Sequence, residues 1–206
     1  MNIFSKSLRT TFTVSVAALM LSGCSGSSGS AQPSSVKSDS SERAQLLELS
    51  VSGLRYTSEN SSGLTDDAGN FEYTAGQPLT FSIGDIELGT FTFNETPSLF
   101  ESTIASLPAT RNQLLAEIQH SNDVTDFDRA INILTLLAIL DQDGTLANGI
   151  QLEGLDNILV DTGINFDQPM SKFNSSAASR LLAGRYGGSS YVDYLDIIAL
   201  VYGALD

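Results

Sequence analysis

The chain has 206 residues, with 24 Asp and Glu against 10 Lys and Arg, so its formal net charge is −14. A surface of that sign repels nucleic-acid phosphate and anionic lipid headgroups, which excludes nucleic acid as a partner. One cysteine and one histidine exclude internal disulfides and the zinc sites built from several His or Cys ligands. The fold must rest on apolar packing, and 41% hydrophobic residues, with ten Phe and six Tyr, supply one or two small cores.

Residues 1–9 carry Lys6 and Arg9 and no acid, and residues 10–21 form an apolar stretch with hydroxyls mixed in. A bilayer-spanning helix needs about 20 apolar residues, so this run is too short. A positive start, a short apolar run and small residues at the exit describe an export signal. The run ends in Leu21-Ser22-Gly23-Cys24, which resembles the lipobox of bacterial lipoproteins. That resemblance implies a diacylglyceryl group on the Cys24 thiol, cleavage between Gly23 and Cys24, and acylation of the new amino terminus. Ser25 in place of Asp implies, by the same resemblance, sorting to the outer membrane of a Gram-negative cell. The competing reading is an ordinary signal peptide that happens to contain a cysteine; against it, the chain has no second cysteine to pair with. Each buried CH₂ contributes about 0.8 kcal/mol, and two or more acyl chains anchor stably. The first expected partner is therefore the lipid bilayer, reached through N-terminal acyl chains. Loss of residues 1–23 removes two positive charges and leaves the remainder still more acidic.

Cys24 and the residues up to 45 read as a tether. Residues 25–41 are rich in Ser and Gly, which cannot bury enough surface to offset the entropy of ordering. Residues 46–96 read as a small antiparallel β-module. Leu47, Leu49 and Val51 alternate in one phase, Leu54 and Tyr56 in the other, and the flip at Gly53 predicts a bulge or bend. Turns are expected at Glu59–Gly63 and at Asp66–Asn70, after which Phe71 and Tyr73 alternate again. Leu79, Phe81 and Ile83 share a face, Gly84-Asp85 can close a two-residue hairpin, and Ile86 and Leu88 return. Phe91 and Phe93 continue the sheet after Gly89. The residues Val51-Ser52-Gly53, Tyr56, Thr65-Asp66, Gly69, Phe71, Tyr73 and Gly76 resemble a carboxypeptidase-regulatory-like β-sandwich module. Such a likeness implies a non-catalytic spacer or binding surface. Turn chemistry alone explains the same residues equally well.

From Pro97 the period becomes helical, so residues 97–206 read as an α-helical domain and the fold class as α+β. A short helix is expected over Ser98–Ala105, and a second, capped by Thr110, would bear Leu114, Leu115 and Ile118. Thr125 begins the strongest helix, with Asp126 and Asp128 in its first turn, where negative charge suits the macrodipole. Between Ala130 and Leu140 only Asn132 and Thr135 are polar. A helix apolar nearly all round is buried, so this one is the expected centre of the domain, with Asn132 and Thr135 making core hydrogen bonds. Residues 150–170 read as irregular, with apolar spots at Ile158, Leu159, Ile164 and Phe166. Ser171 would cap a helix reaching Ala183 with Gly184 after it, and Gly187-Gly188 reads as a hinge or turn. Ser190 would open a last helix bearing Tyr191, Leu195, Ile198 and Val201 or Tyr202.

Asp141, Asp143 and Asn148 are the candidate metal ligands, with calcium the possible ion. Asp-x-Asp-Gly sets carboxylates close together on a turning backbone, and Ca²⁺ takes oxygen ligands. An EF-hand register that makes Asp141 and Asp143 positions three and five, however, puts Ile139 and Ile150 where ligands are required. The alternative is a polar helix stop with Gly144 in the left-handed region. The stretch Leu137–Ile150, followed by Ile164-Asn165-Phe166-Asp167-Gln168, resembles segments of exported Gram-negative lipoproteins in which a β-module precedes a helical part; this implies an envelope protein and carries over no site. His120 reads as a helix-end residue, and no Gly-x-Ser-x-Gly elbow, P-loop or dinucleotide fingerprint occurs. The expected function is a lipid-anchored envelope protein with a binding, adhesion or structural role toward an unknown envelope protein or ligand, and no catalytic set. The alternatives are a carrier of a lipid or other hydrophobic ligand, and a carboxylate-based hydrolase.

Overall fold

The computed structural model describes residues 41–46, 49–94, 97–98, 108, 110–119, 123–161, 163–186 and 192–205. Over these the fold is α+β: strands fill the N-terminal half, helices follow, and one short strand returns between them. Of the expected helix over Ser98–Ala105 only Ser98 is described, and it is buried; residues 99–105, Leu47, Gly187-Gly188, Ser190 and Tyr191 lie outside the described residues.

The first β element, β1 (Glu42–Ala44), is followed by β2 (Val51–Ser52) and β3 (Arg55–Thr57). Leu49, Val51, Leu54 and Tyr56 are all buried, as the two alternating phases predict. The flip between them is a bend at Gly53, with φ of +75°. It sends β2 and β3 into different sheets. A Cβ at Gly53 would lie 2.9 Å from the backbone nitrogen of Glu153, so the bend is also a close crossing of two backbones.

Strand β3 lies inside a four-stranded antiparallel sheet with β4 (Ser62–Leu64), β6 (Pro78–Ile83) and β7 (Ile86–Thr92), in the order β4-β3-β6-β7. Gly84-Asp85 closes β6 onto β7 with Ile83 opposite Ile86, the two-residue hairpin expected from the sequence. The register slips between Phe81, opposite Gly89, and Ser82, opposite Glu87. Leu88 is the extra residue of this bulge. It explains why Ile86 and Leu88 face the core in one phase, while Phe91 and Phe93 face it in the other. Strand β5 (Phe71–Tyr73) pairs with β1. Its Phe71 ring meets Phe81 edge-on at 5.1 Å and has Tyr56, Tyr73 and Phe93 within about 6 Å.

Among the helices, α1 (Arg111–Gln119) is capped reciprocally: Gln113 N donates to Thr110 Oγ1 and Thr110 N donates to Gln113 Oε1. Helix α2 (Asp126–Leu140) has the same device in Thr125 and Asp128, and every residue from Ala130 to Leu140 is buried. Where one helix was expected from Ser171 to Ala183, there are two, α3 (Met170–Phe173) and α4 (Ala177–Tyr186). Ser176 Oγ accepts from Ser179 N at 3.1 Å, so a new N-terminus starts there. Asn174 Nδ2 is drawn away to Val192 O at 2.7 Å. Gly184 does not stop α4, which runs on to Tyr186. The last helix, α5 (Tyr194–Leu205), starts at Asp193, whose Oδ1 accepts from Leu195 N. Leu195 is 47% exposed, contrary to expectation, while Ile197, Ile198 and Val201 are buried.

The sequence pattern changes near residue 96, but the core does not divide there. Strand β8 (Ile150–Gln151) runs parallel to β2, with Ile150 N donating to Ser50 O at 2.8 Å and Leu152 N to Ser52 O at 3.0 Å. Ser38–Asp206 is one compact unit, and one apolar cluster takes in sheet and helices alike. A sheet with one apolar face and a helix apolar on all sides each need the other's surface to be covered. The hairpin tip is seated on the same C-terminal segment: Asp85 N donates to Leu159 O, and a Cβ on Gly84 (φ +56°) would lie 2.1 Å from that oxygen.

Gly84→Ala should therefore lower unfolding free energy by about 3 kcal/mol or more. Gly154→Ala, with φ of +81° but open space around it, should cost only the left-handed penalty of about 1–2 kcal/mol. Urea unfolding of the two variants, side by side, measures the contact separately from the backbone strain.

Candidate functional site

Helix α2 ends at Asp141, which is fully buried. Its Oδ1 accepts from Gln151 N and its Oδ2 from Thr145 N, both at 2.9 Å. Asp143 Oδ1 accepts from the same Thr145 N at 2.8 Å, and its Oδ2 accepts from Asn148 Nδ2 at 2.8 Å and Gln151 Nε2 at 3.0 Å. Asp141, Asp143 and Asn148, the three candidate ligands, are thus brought together. All four carboxylate oxygens face N–H donors, and Asn148 presents its nitrogen to Asp143. The Asn148 amide, then the Thr145 N–H, hold the Asp143 carboxyl below its ordinary value. Gly144 has φ of +68°. This geometry is a helix stop that ties the end of α2 to β8. Among the described residues no three His, Cys, Asp or Glu side chains are gathered so as to hold a metal ion.

Two other carboxylates have structural roles, and of these Asp156 was not singled out in the sequence. Asp156, 3% exposed in its side chain, forms a two-pronged ion pair with Arg55; the Nε–Oδ1 arm is 3.0 Å. Its Oδ1 also accepts from Gly84 N at 3.3 Å. One carboxylate therefore holds β3 and the hairpin tip against the 155–159 turn. No local pattern announces this pair, since its members are 101 residues apart. Asp66, in the predicted turn, accepts from Ala68 N, Asn70 N and Asn70 Nδ2, and pairs with Arg43 on β1. The Asn70 side chain and then its backbone N–H hold the Asp66 carboxyl down at about 2.

Gly23, Cys24 and His120 lie outside the described residues. No helix among the described residues is long and apolar enough to cross a membrane. No family model, curated protein or solved structure matches this chain.

Asp141→Ala strands the Gln151 N–H, while the Thr145 N–H keeps Asp143 Oδ1, and should cost about 1–3 kcal/mol. The loss should be the same with and without millimolar Ca²⁺ in thermal melts. A Ca²⁺-dependent rise in Tm that Asp141→Ala abolishes would instead mark the loop as a cation site.

Asp66 also makes an acid-stability prediction. Its folded value, about 2, lies below its ordinary 3.8, so between these values the unfolded chain binds more protons and stability rises with pH. The contribution is complete above pH about 4 and is lost as pH falls through about 2. Urea midpoints should therefore fall more steeply across that interval in the native protein than in Asp66→Asn.

Proposed function

We propose that this protein is a cell-envelope lipoprotein, held at the outer membrane by acyl chains on Cys24, whose folded body has a non-catalytic binding, adhesion or structural role. The observation that carries the reading is the order of Lys6 and Arg9, an apolar run too short to span a bilayer, and Leu21-Ser22-Gly23-Cys24 with the chain's single cysteine. The Ser- and Gly-rich stretch from 25 to 41 fits a spacer between anchor and body. Such a stretch has an r.m.s. length of about 20–25 Å as a random coil. Where the described chain begins, β1 fastens it to the body: it pairs with β5, and Tyr73 Oη donates to Glu42 Oε2 at 3.2 Å.

The non-catalytic part of the reading is supported by what the best-placed acids do. Asp66, Asp128, Asp141 and Asp156 each accept hydrogen bonds within the fold. A general acid or nucleophile must instead offer its oxygens to a substrate. The net charge of −14 favours partners that are neutral or cationic over nucleic acid.

Cells producing the native chain and Cys24→Ser, grown with radiolabelled palmitate, test the anchor. The native protein should carry label and sediment with membranes, while Cys24→Ser should be unlabelled and freely dissolved. Equal labelling of both, or an unmodified sulfur on a dissolved native product, would overturn the proposal.

A further inference from the structure

Helix α2 carries three polar residues, Asp128, Asn132 and Thr135, spaced by four and three and hence on one face. All three are buried. Asp128 Oδ1 accepts from Met170 N at 2.9 Å and its Oδ2 from Thr125 N at 3.1 Å. Asn132 Nδ2 donates to Phe166 O at 2.8 Å and Gln168 O at 2.7 Å. Those two carbonyls can only accept, so they fix which way the amide faces and turn Oδ1 away from them. Asn132 Oδ1 and Thr135 Oγ1 are buried with no hydrogen-bond partner among the described residues.

Unpaired polar atoms in a core are rare, and two on neighbouring turns share one explanation. Residues three apart on a helix have Cβ atoms about 5–6 Å apart, a gap that one water spans with two hydrogen bonds of ordinary length, about 2.8 Å each. Buried waters serve otherwise unpaired polar groups in this way. A metal ion fits poorly, because two neutral oxygens fall far short of the ligand set that hard cations require. An anion would face the Asn132 oxygen, itself an acceptor.

We propose that the core binds one ordered water between Asn132 and Thr135, donating to Asn132 Oδ1 and exchanging a hydrogen bond with Thr135 Oγ1. The water holds the Asn132 amide in the orientation that ties residues 166–168 to α2.

Thr135→Val, which keeps the shape and removes the hydroxyl, decides the matter by its sign in urea unfolding of the full chain. With the water in place, the variant loses one of its anchors, and the unfolding constant should rise about tenfold. With a dry core, the variant exchanges an unpaired buried hydroxyl for a methyl and should be as stable as the native protein or more so. Proton NMR gives the second measurement: a long-lived water should show an NOE to the Thr135 methyl group. That NOE should persist in Thr135→Ser as a contact to its Cβ protons. A neutral or stabilised Thr135→Val, or no water NOE in the native protein, would overturn the proposal.

Discussion

A helix with apolar side chains on every side must be enclosed on every side. In α2 the run from Ala130 to Leu140 leaves no face for solvent, and that requirement organises the rest of the body. Helices α3, α4 and α5 and strand β8 all pack against it. Burying one Leu or Ile contributes about 1.5–3 kcal/mol, so the seven Ile and Leu residues between Ile131 and Leu140 outweigh any single polar contact in the fold. The polar groups act differently. They set angles and registers that apolar packing leaves open: Asp128 joins the start of α2 to α3, Asp141 joins its end to β8, and Asn132 draws in residues 166–168.

The strands of the N-terminal half are held to this assembly at three places, all within residues 150–159. Strand β8 pairs with β2, Asp156 grips Arg55 and Gly84 N, and Leu159 O takes Asp85 N. Arg129 on α2 adds a fourth tie from the other side. It pairs with Asp167, lies over the Phe166 ring, and donates to Leu88 O at the β7 bulge. An outward-facing carbonyl on an edge strand is a site where another chain can add, and a guanidinium placed there blocks it.

The parts of the fold that were legible in the sequence are those governed by neighbours along the chain. The Gly53 bend, the Gly84-Asp85 hairpin, the Asp66–Asn70 turn and the Thr125 cap each rest on residues within a few positions of one another. The central helix was legible because its composition alone demands burial. What escaped was non-local. Residues 150–151 form a strand only because β2 lies beside them, and Ile150–Gln151 carries no alternation long enough to read. Of the apolar spots in this stretch, Leu159 is buried but Ile158 is 56% exposed, a difference that composition alone does not carry. In the candidate metal loop Asp141, Asp143 and Asn148 share one hydrogen-bonded turn. The sequence could not reveal that Thr145 and Gln151 would fill the oxygens of both aspartates with N–H donors. The division near residue 96 reflected a real change of period, but period reports local structure and not where a core ends.

The parallel pairing of β2 with β8 also imposes a schedule. Ser52 Oγ reaches Ile150 O across 98 residues of chain, and loops that long close late. Synthesis runs from the N-terminus, so β2 has no partner until the 150s have followed it. The N-terminal half must wait with its bend unsupported and its aromatic cluster incompletely covered. Closure in this fold is therefore tied to chain length: the body is completed only when its last third is available.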